Sequence, residues 1–251
     1  MPTDWERLRE RRAAGDPWQT DPQQDYLRQP AMRRTIEQRI RWIEEEVERH
    51  LSNRSGIRLL EIGCGDGLMM TPLRRPGVDL WGCDLNLLRL RRTRVGFPEA
   101  RLALGEIGAL GFRDGVFDGV LASQVLEHVR ETDSALRELR RILKPGGRLW
   151  LGVPNEGCRL GRLRNRWVQP KILKQTDHLH FFTEPALRRK IEAAGFEIRS
   201  VFRENFFIPH TRLFDWCHWP AFGWRLMQRL AAVWPGQCAG FYLACEQRGP
   251  E

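Results

Sequence analysis

The chain is poor in several features that would narrow its class at once. No uncharged stretch among its 251 residues approaches the roughly 18 to 20 apolar positions that a membrane span needs, and the opening "MPTDWERLRERR" carries charge where an export signal needs an apolar run. No spanning or export segment is therefore expected. The six cysteines (Cys64, Cys83, Cys158, Cys217, Cys238 and Cys245) form no C-x-x-C pair, and a chain of this size needs no disulfide staples, so they read as reduced thiols of a cytoplasmic protein. Lysine is scarce: only Lys144, Lys171, Lys174 and Lys190 contribute to the 41 basic residues. The net charge of +9 is thus arginine's, scattered along the chain and not gathered into one stripe, which argues against nucleic acid as the main partner. Repeats and low-complexity tracts are missing, and 41% apolar composition suits one full core with additions.

What is present begins with "LLEIGCGDGLMM", Leu59 to Met70, where Gly63, Gly65 and Gly67 alternate after an apolar run. A bare turn between strand and helix lets main-chain amides and a helix N-terminus approach a ligand. The spacing is neither that of the dinucleotide fingerprint nor that of the phosphate loop, and no lysine follows. Glu61, two residues before the first glycine, would repel a polyphosphate and attract a cationic or hydroxyl-bearing ligand.

Around this loop the pattern alternates. Met32, Ile36, Ile40, Ile43, Val47 and Leu51 predict an amphipathic helix, and "GDPWQTDPQQDYLRQP" before it reads as an irregular connection after a short first helix. From Arg58 onward "RLLEIG", "VDLWGCD", "ARLALG", "FDGVLAS" and "GRLWLGVP" read as strands with helices between most of them, predicting an α/β parallel sheet covered on both faces. The helix with Leu136, Leu139, Ile142 and Leu143 on one face is expected to end at "KPGG", and "EPALRRKIEAAG" to end at Gly195 before the strand-like "FEIRSVF". The tail from Asn205 is tryptophan-rich and closes on "GFYLACEQ".

Ligands of such sheets bind beyond the strand carboxyl ends. These ends carry Glu61, then Asp84, suited to accept hydrogen bonds from ribose hydroxyls, then Glu106 with the apolar Ile107, then "ASQVLEHV" and "VPNEG". An adenosine-binding site follows from the first three. At this point the order and spacing of "LLEIGCGDG", Asp84, "FRDGVFDGVLASQVLEHV" and "LRRILKPGGRLWLGVPN" resemble a class I S-adenosylmethionine-dependent methyltransferase, in the small-molecule group that includes ubiquinone-biosynthesis O-methyltransferase-like enzymes. The resemblance covers Arg58 to Phe202 and returns at Gly240 to Glu246.

It implies a Rossmann-like sheet of seven strands, the last antiparallel, with S-adenosyl-L-methionine as cofactor. Gly63, Gly65 and Gly67 would line the methionine part, with Glu61 bracing or touching it; Cys64 counts with the loop, although its thiol reads as packing. Asp84 would hold the ribose, Leu85 touch the adenine, Glu106 stand where the family usually has aspartate beside the adenine amino group, and Ile107 pack on the ring. Gln124 would lie near the sulfonium or amino group. The chain divides on this reading into a helical extension (1–55), the cofactor-binding core (56–205), and a Trp-rich helical insertion with the closing strand (206–251).

A hydroxyl acceptor needs a general base, for which histidine is suited. His128 follows the fourth strand on the acceptor side, and His178 and His180 in "DHLHFFT" share a face if extended. Asp177, His178 and His180 show no clear further ligand, so no metal is expected. The function so read is methyl transfer to an O or C atom of a small or lipid-like acceptor, with an RNA or other nucleic-acid methyltransferase as the alternative; the Asn/Asp-Pro-Pro-aromatic motif of base-amine enzymes is missing after the fourth strand. The segment 212–236 is expected to cover an apolar acceptor, to touch a membrane surface, or to complete the core.

Overall fold

The structure is a computed structural model that describes residues 29–51, 54–172, 176–218 and 220–249. The irregular connection and short first helix expected before Met32 fall outside the described residues, as does Trp219. In chain order the elements are α1 (Pro30–Leu51), β1 (Ile57–Ile62), a 3-10 turn (Leu68–Leu73), β2 (Val78–Asp84), α2 (Leu87–Gly96), β3 (Arg101–Leu104), β4 (Phe117–Ser123), a second 3-10 turn (Leu126–His128) and α3 (Thr132–Ile142). There follow β5 (Leu143–Pro154), α4 (Arg159–Leu163) with a π-helical turn (Arg164–Val168), α5 (Glu184–Ala193), β6 (Phe196–Arg203), α6 (Thr211–His218), α7 (Ala221–Val233) and β7 (Gly240–Gln247).

The seven strands form one sheet in the order β3-β2-β1-β4-β5-β7-β6. All neighbours from β3 to β5 are parallel, while β7 runs antiparallel between β5 and β6. The chain winds outward from β1 in both directions, so the carboxyl ends of β1 and β4 flank a crevice at the reversal of strand order.

Alternate strand residues feed two cores, as a period of two requires. Leu59, Leu121, Trp150 and Tyr242 are buried against Ile43, Val47 and Leu51 of α1. Leu60, Val120, Leu149, Leu151 and Val153 are buried with Leu136 and Leu139 of α3 and Leu187 and Ile191 of α5. The apolar stripe of α1 therefore has the sheet as its partner surface.

Two local expectations are corrected. No α-helix follows the glycine loop: Pro72 has no N–H to give to an α-helical ladder, and the segment closes as the 3-10 turn Leu68–Leu73. Likewise α3 stops at Ile142 and "KPGG" belongs to the start of β5, where Gly146 turns the chain at φ +72°. A bulge between Phe117 and Gly119 on the neighbouring strand accommodates that irregular start.

Candidate active site

The glycine loop leaves β1 in the left-handed region, with φ of +69° at Gly63, +55° at Gly65 and +91° at Gly67. A side chain at Gly63 would overlap the Val125 methyl, and one at Gly65 the guanidinium of Arg89. Glycine is thus required twice over here, by conformation and by close approach. The amides do not point outward as the sequence suggested. Gly63 N–H (2.7 Å) and Cys64 N–H (3.1 Å) donate to Cys83 carbonyl oxygen, and Gly67 N–H donates to that of Cys64 at 2.8 Å. The loop is a folded-back turn that binds β1 to the end of β2, and the Cys64 thiol packs in the core, where burial pushes it up.

Asp84, at the last position of β2, is the anchor of this turn. Its Oδ2 accepts Gly65 N–H and its Oδ1 accepts Asn86 N–H, both at 2.8 Å. Each carboxylate oxygen retains a second lone pair for a hydroxyl. Glu61 is 2% exposed and its Oε2 has no hydrogen-bond partner. Burial first, then the charge of Asp84, push its carboxyl well above the usual carboxylate range, against a downward pull from Arg89. Across the crevice Gln124 adopts φ +56°, which costs a side-chain-bearing residue energy, and its Nε2 is buried without a partner. An unpaired buried acid at the end of β1 and an unpaired amide donor at the end of β4 fit a zwitterionic ligand with an ammonium and a carboxylate, such as the amino-acid end of S-adenosylmethionine. Leu85 is half-buried and Glu106 exposed, while Ile107 sits inside the core cluster shared with Leu60 and Leu110.

The histidines separate. His178 Nδ1 meets Glu156 Oε2 at 2.6 Å, and its ring lies edge-on to that of His128 with centroids 4.8 Å apart. His128 Nδ1 is 3.3 Å from the Asp177 carbonyl oxygen. His180 is not part of this pair: its Nε2 meets the Arg130 carbonyl oxygen at 3.2 Å and its ring stacks on Phe182. The hydrogen bonds of Leu179 and His180 N–H to the Glu127 carbonyl oxygen, 2.8 and 3.1 Å, twist the segment so that residues two apart diverge. Asp177, exposed, and His180 do not converge with His178 either; instead one atom each of Glu127, His128 and His178 lie within 4.8 Å of one another, close enough to share a proton or a cation.

Three charged residues complete this cluster that sequence reasoning passed over. Burial raises the Glu127 carboxyl to about 7. Burial also works to raise Glu156, but the His178 hydrogen bond and Arg164 outweigh it and hold that carboxyl below its usual range. Arg164, at the start of the π-helical turn, donates to Glu156 Oε1 and lies over the Phe207 ring. Glu127 and Glu156 stand in the quoted "LEHV" and "VPNEG", so position at a strand end was an available signal; Arg164 had none, being one arginine among many.

Comparison with known proteins follows the same lines. A family model described as "Methyltransferase domain" matches residues 32–201. The demethylmenaquinone methyltransferase of Streptomyces avermitilis is 36% identical over 104 residues, which are 41% of this chain and 45% of that protein. A ubiquinone biosynthesis O-methyltransferase of Cereibacter sphaeroides is 31% identical over 169 residues, 62% of this chain and 67% of the relative. The match thus spans less than half of the first relative's length. Among solved structures, an S-adenosylmethionine dependent methyltransferase from Mesorhizobium loti aligns with TM-score 0.58 at 16% identity, covering 81% of this chain and 96% of that one. The phosphoethanolamine N-methyltransferase 2 of Haemonchus contortus, solved in complex with S-adenosyl-L-methionine, aligns with TM-score 0.60 at 15% identity over 83% and 53% of the two chains. At such identities the structures speak for the fold alone. With a family match over most of its length and a sheet of this order beneath it, the chain belongs to the class I S-adenosylmethionine-dependent methyltransferases.

Proposed function

We propose that the protein transfers a methyl group from S-adenosylmethionine to an O or C atom of a small, lipid-like acceptor, using the His128–His178 pair as the acceptor-side base. The observation that carries this is the set of groups at the strand carboxyl ends: Glu61 of β1, its Oε2 unpartnered, with Asp84 of β2 on one side of it and the unpartnered Nε2 of Gln124, just after β4, on the other, and the paired histidines that follow β4 and β5. The cofactor, when bound, supplies an electrophilic methyl on a sulfonium and so needs no activation by the protein. Glu61 and Gln124 would hold its amino-acid end, Asp84 its ribose, and Leu85, Glu106 and Ile107 its adenine side. What remains for the chain is to orient the acceptor and take its proton. Alignment of two reactants can supply about 7 to 11 kcal/mol of a barrier, and a base near neutrality adds roughly 10²- to 10⁴-fold. With the Nδ1 proton of His178 given to ionised Glu156, Nε2 is the nitrogen left to take the acceptor's proton.

The names of the quinone-pathway relatives support a lipid-like acceptor. So do exposed aromatics on neighbouring elements: Trp216 is 73%, Phe222 77% and Trp167 71% exposed, and the same elements and α4 carry the exposed Arg162, Arg166, Arg212, Arg225 and Arg229. We take the segment 212–236, within the insertion that precedes β7, to form a cover for the acceptor that also touches a membrane surface from the cytoplasmic side. No helix among the described residues is long and apolar enough to cross a membrane. On this reading the chain comprises a helical extension (1–55), the cofactor-binding core (56–205) and the insertion with the closing strand (206–251). The nucleic-acid alternative has less support, because arginine is scattered and the base-amine motif is missing after β4.

Calorimetry, and turnover on a long-chain phenol as a lipid-like hydroxyl acceptor, test this reading together. Asp84→Ala should weaken S-adenosylmethionine binding, losing bonds worth about 1.5 to 3 kcal/mol each, whereas His128→Ala should leave binding nearly intact and lower turnover. Unchanged affinity in a folded Asp84→Ala protein removes Asp84 from the site, and full turnover in both His128→Ala and His178→Ala removes the base.

A further inference from the structure

The histidine pair is continued by two further side chains, Glu156 and Arg164. From His178 Nδ1 the contact runs 2.6 Å to Glu156 Oε2, and from Glu156 Oε1 to the Arg164 guanidinium. Glu156 is 4% exposed, the Arg164 side chain 11% and that of His178 14%. Around them the backbone is tight. A side chain at Gly161 would overlap the Glu156 carbonyl, and one at Gly157 the Phe181 carbonyl, so α4 and the 178–183 segment clasp the Glu156 peptide from two sides.

Arg164 stands where α4 passes into the π-helical turn, a widened turn that recurs at functional sites. Its own turn carries Trp167 and Val168 outward, and Gln169 just beyond is tied to α6 by two hydrogen bonds with Thr211, both 3.1 Å. One segment therefore presents the exposed aromatic surface at one end and clamps the carboxylate of the histidine pair at the other.

We propose that Glu156 and Arg164 are positioning residues for the acceptor-side base. Glu156 fixes the ring plane and tautomer of His178, and Arg164 fixes Glu156, so that seating of the 159–168 segment decides whether His178 faces His128 in working order. A carboxylate behind a histidine selects which nitrogen carries the proton and raises the basicity of the other. Arg164 acts one step further out, as a fixed charge that keeps this carboxylate ionised in a buried place. The proposal rests on the reading of the histidine pair as the base; the two are separated by using one measurement that needs no acceptor.

That measurement is proton and 15N NMR of the full chain labelled at histidine, with His178 assigned by its loss in His178→Gln. The ring Nδ1 proton bonded to Glu156 should give a downfield, slowly exchanging resonance. In isosteric Glu156→Gln it should move upfield and exchange faster; in Arg164→Met it should broaden, and Arg164→Lys, which keeps the charge, should restore it. Absence of the resonance from the unaltered protein, or no change in either variant, overturns the proposal. Kinetics on the same long-chain phenol form the second arm. Glu156→Gln and Arg164→Met should each lower kcat by roughly 10- to 100-fold with the KM for S-adenosylmethionine within about twofold. NMR changes with unaltered kcat would make the chain structural and sink the positioning role. NMR changes together with full turnover in His128→Ala and His178→Ala would instead sink the base reading and leave only the contact.

Discussion

Glu61 is the residue at which stability and function oppose each other. In the folded protein its carboxyl is buried without a hydrogen-bond partner for Oε2 and its affinity for a proton is raised, by burial and then by Asp84. Between its unfolded value, about 4.3, and its raised folded value, the folded state holds a proton that the unfolded chain has released. Stability therefore falls as pH rises through that window. Glu127, raised to about 7 by burial, pulls the same way. Glu61→Gln should accordingly stabilise the ligand-free protein at pH 8 by ~1–3 kcal/mol and leave it little changed at pH 4, in thermal melts at the two values. Its affinity for S-adenosylmethionine should drop about tenfold or more, since a charge-assisted bond to the ammonium is lost. Equal melting shifts at both pH values would show that the carboxyl is ionised and compensated in some other way. The sequence pointed to Glu61 because it precedes three alternating glycines; that it lacks a partner, and that the loop's amides are spent on Cys83 and Asp84, depends on where β2 ends.

At the scale of elements, α1 is held by more than its apolar stripe. Arg39, its side chain 14% exposed, pairs with Glu204 at 2.6 Å just after β6 and lies over the Tyr242 ring of β7, and Tyr242 in turn shares a 2.6 Å hydrogen bond with Ser123 at the end of β4. Burial works against the Arg39 charge, but Glu204 and Tyr242 outweigh it and hold the guanidinium well above its usual value; burial pushes the Tyr242 phenol up to about 12. The helix is thereby tied to the end of β4, the residue before Gln124. Removing one partner of a buried pair leaves the other uncompensated, at about 3–5 kcal/mol. Arg39→Met should cost that much in urea unfolding, and Arg39→Met with Glu204→Gln should cost less than Arg39→Met alone. A double variant as unstable as the sum of its parts would mean the pair contributes nothing as a pair. Periodicity announced α1, yet the same reading put a helix after the glycine loop, where Pro72 permits only a 3-10 turn.

For the whole molecule, exposed aromatics and arginines occur together on three linked elements. The net charge is +9, and the π-helical turn, α6 and α7 expose Trp167, Trp216 and Phe222, with Trp234 just after α7, together with the exposed Arg166, Arg212, Arg225 and Arg229 and with Asp215 as an acidic residue of these elements. Each basic side chain near an anionic bilayer is worth about 1 kcal/mol, screened over a Debye length. The protein should cosediment with phosphatidylglycerol vesicles at low salt, release at about 0.5 M salt, and bind markedly less as the Trp216→Ser, Phe222→Ser double variant. Failure of the unaltered protein to bind at low salt would refute membrane contact and return these helices to the role of a plain cover.

The sequence by itself determined the α/β alternation, the ends of most strands and the need for glycine after β1, because each is a local matter of period or backbone freedom; that Gly65 N–H is spent on Asp84 was decided by the packing of β2 beside β1. The antiparallel final strand came only with the family resemblance. Tertiary structure alone decided which histidines meet. His178 and His180 are two residues apart and chemically alike, but the Glu127 carbonyl captures the backbone between them and sends one ring to Glu156 and the other to Arg130. It also decided which arginine matters: Arg164 differs from its neighbours in the chain only in lying across a buried carboxylate eight residues away, a proximity created by the packing of α4 on the end of β5.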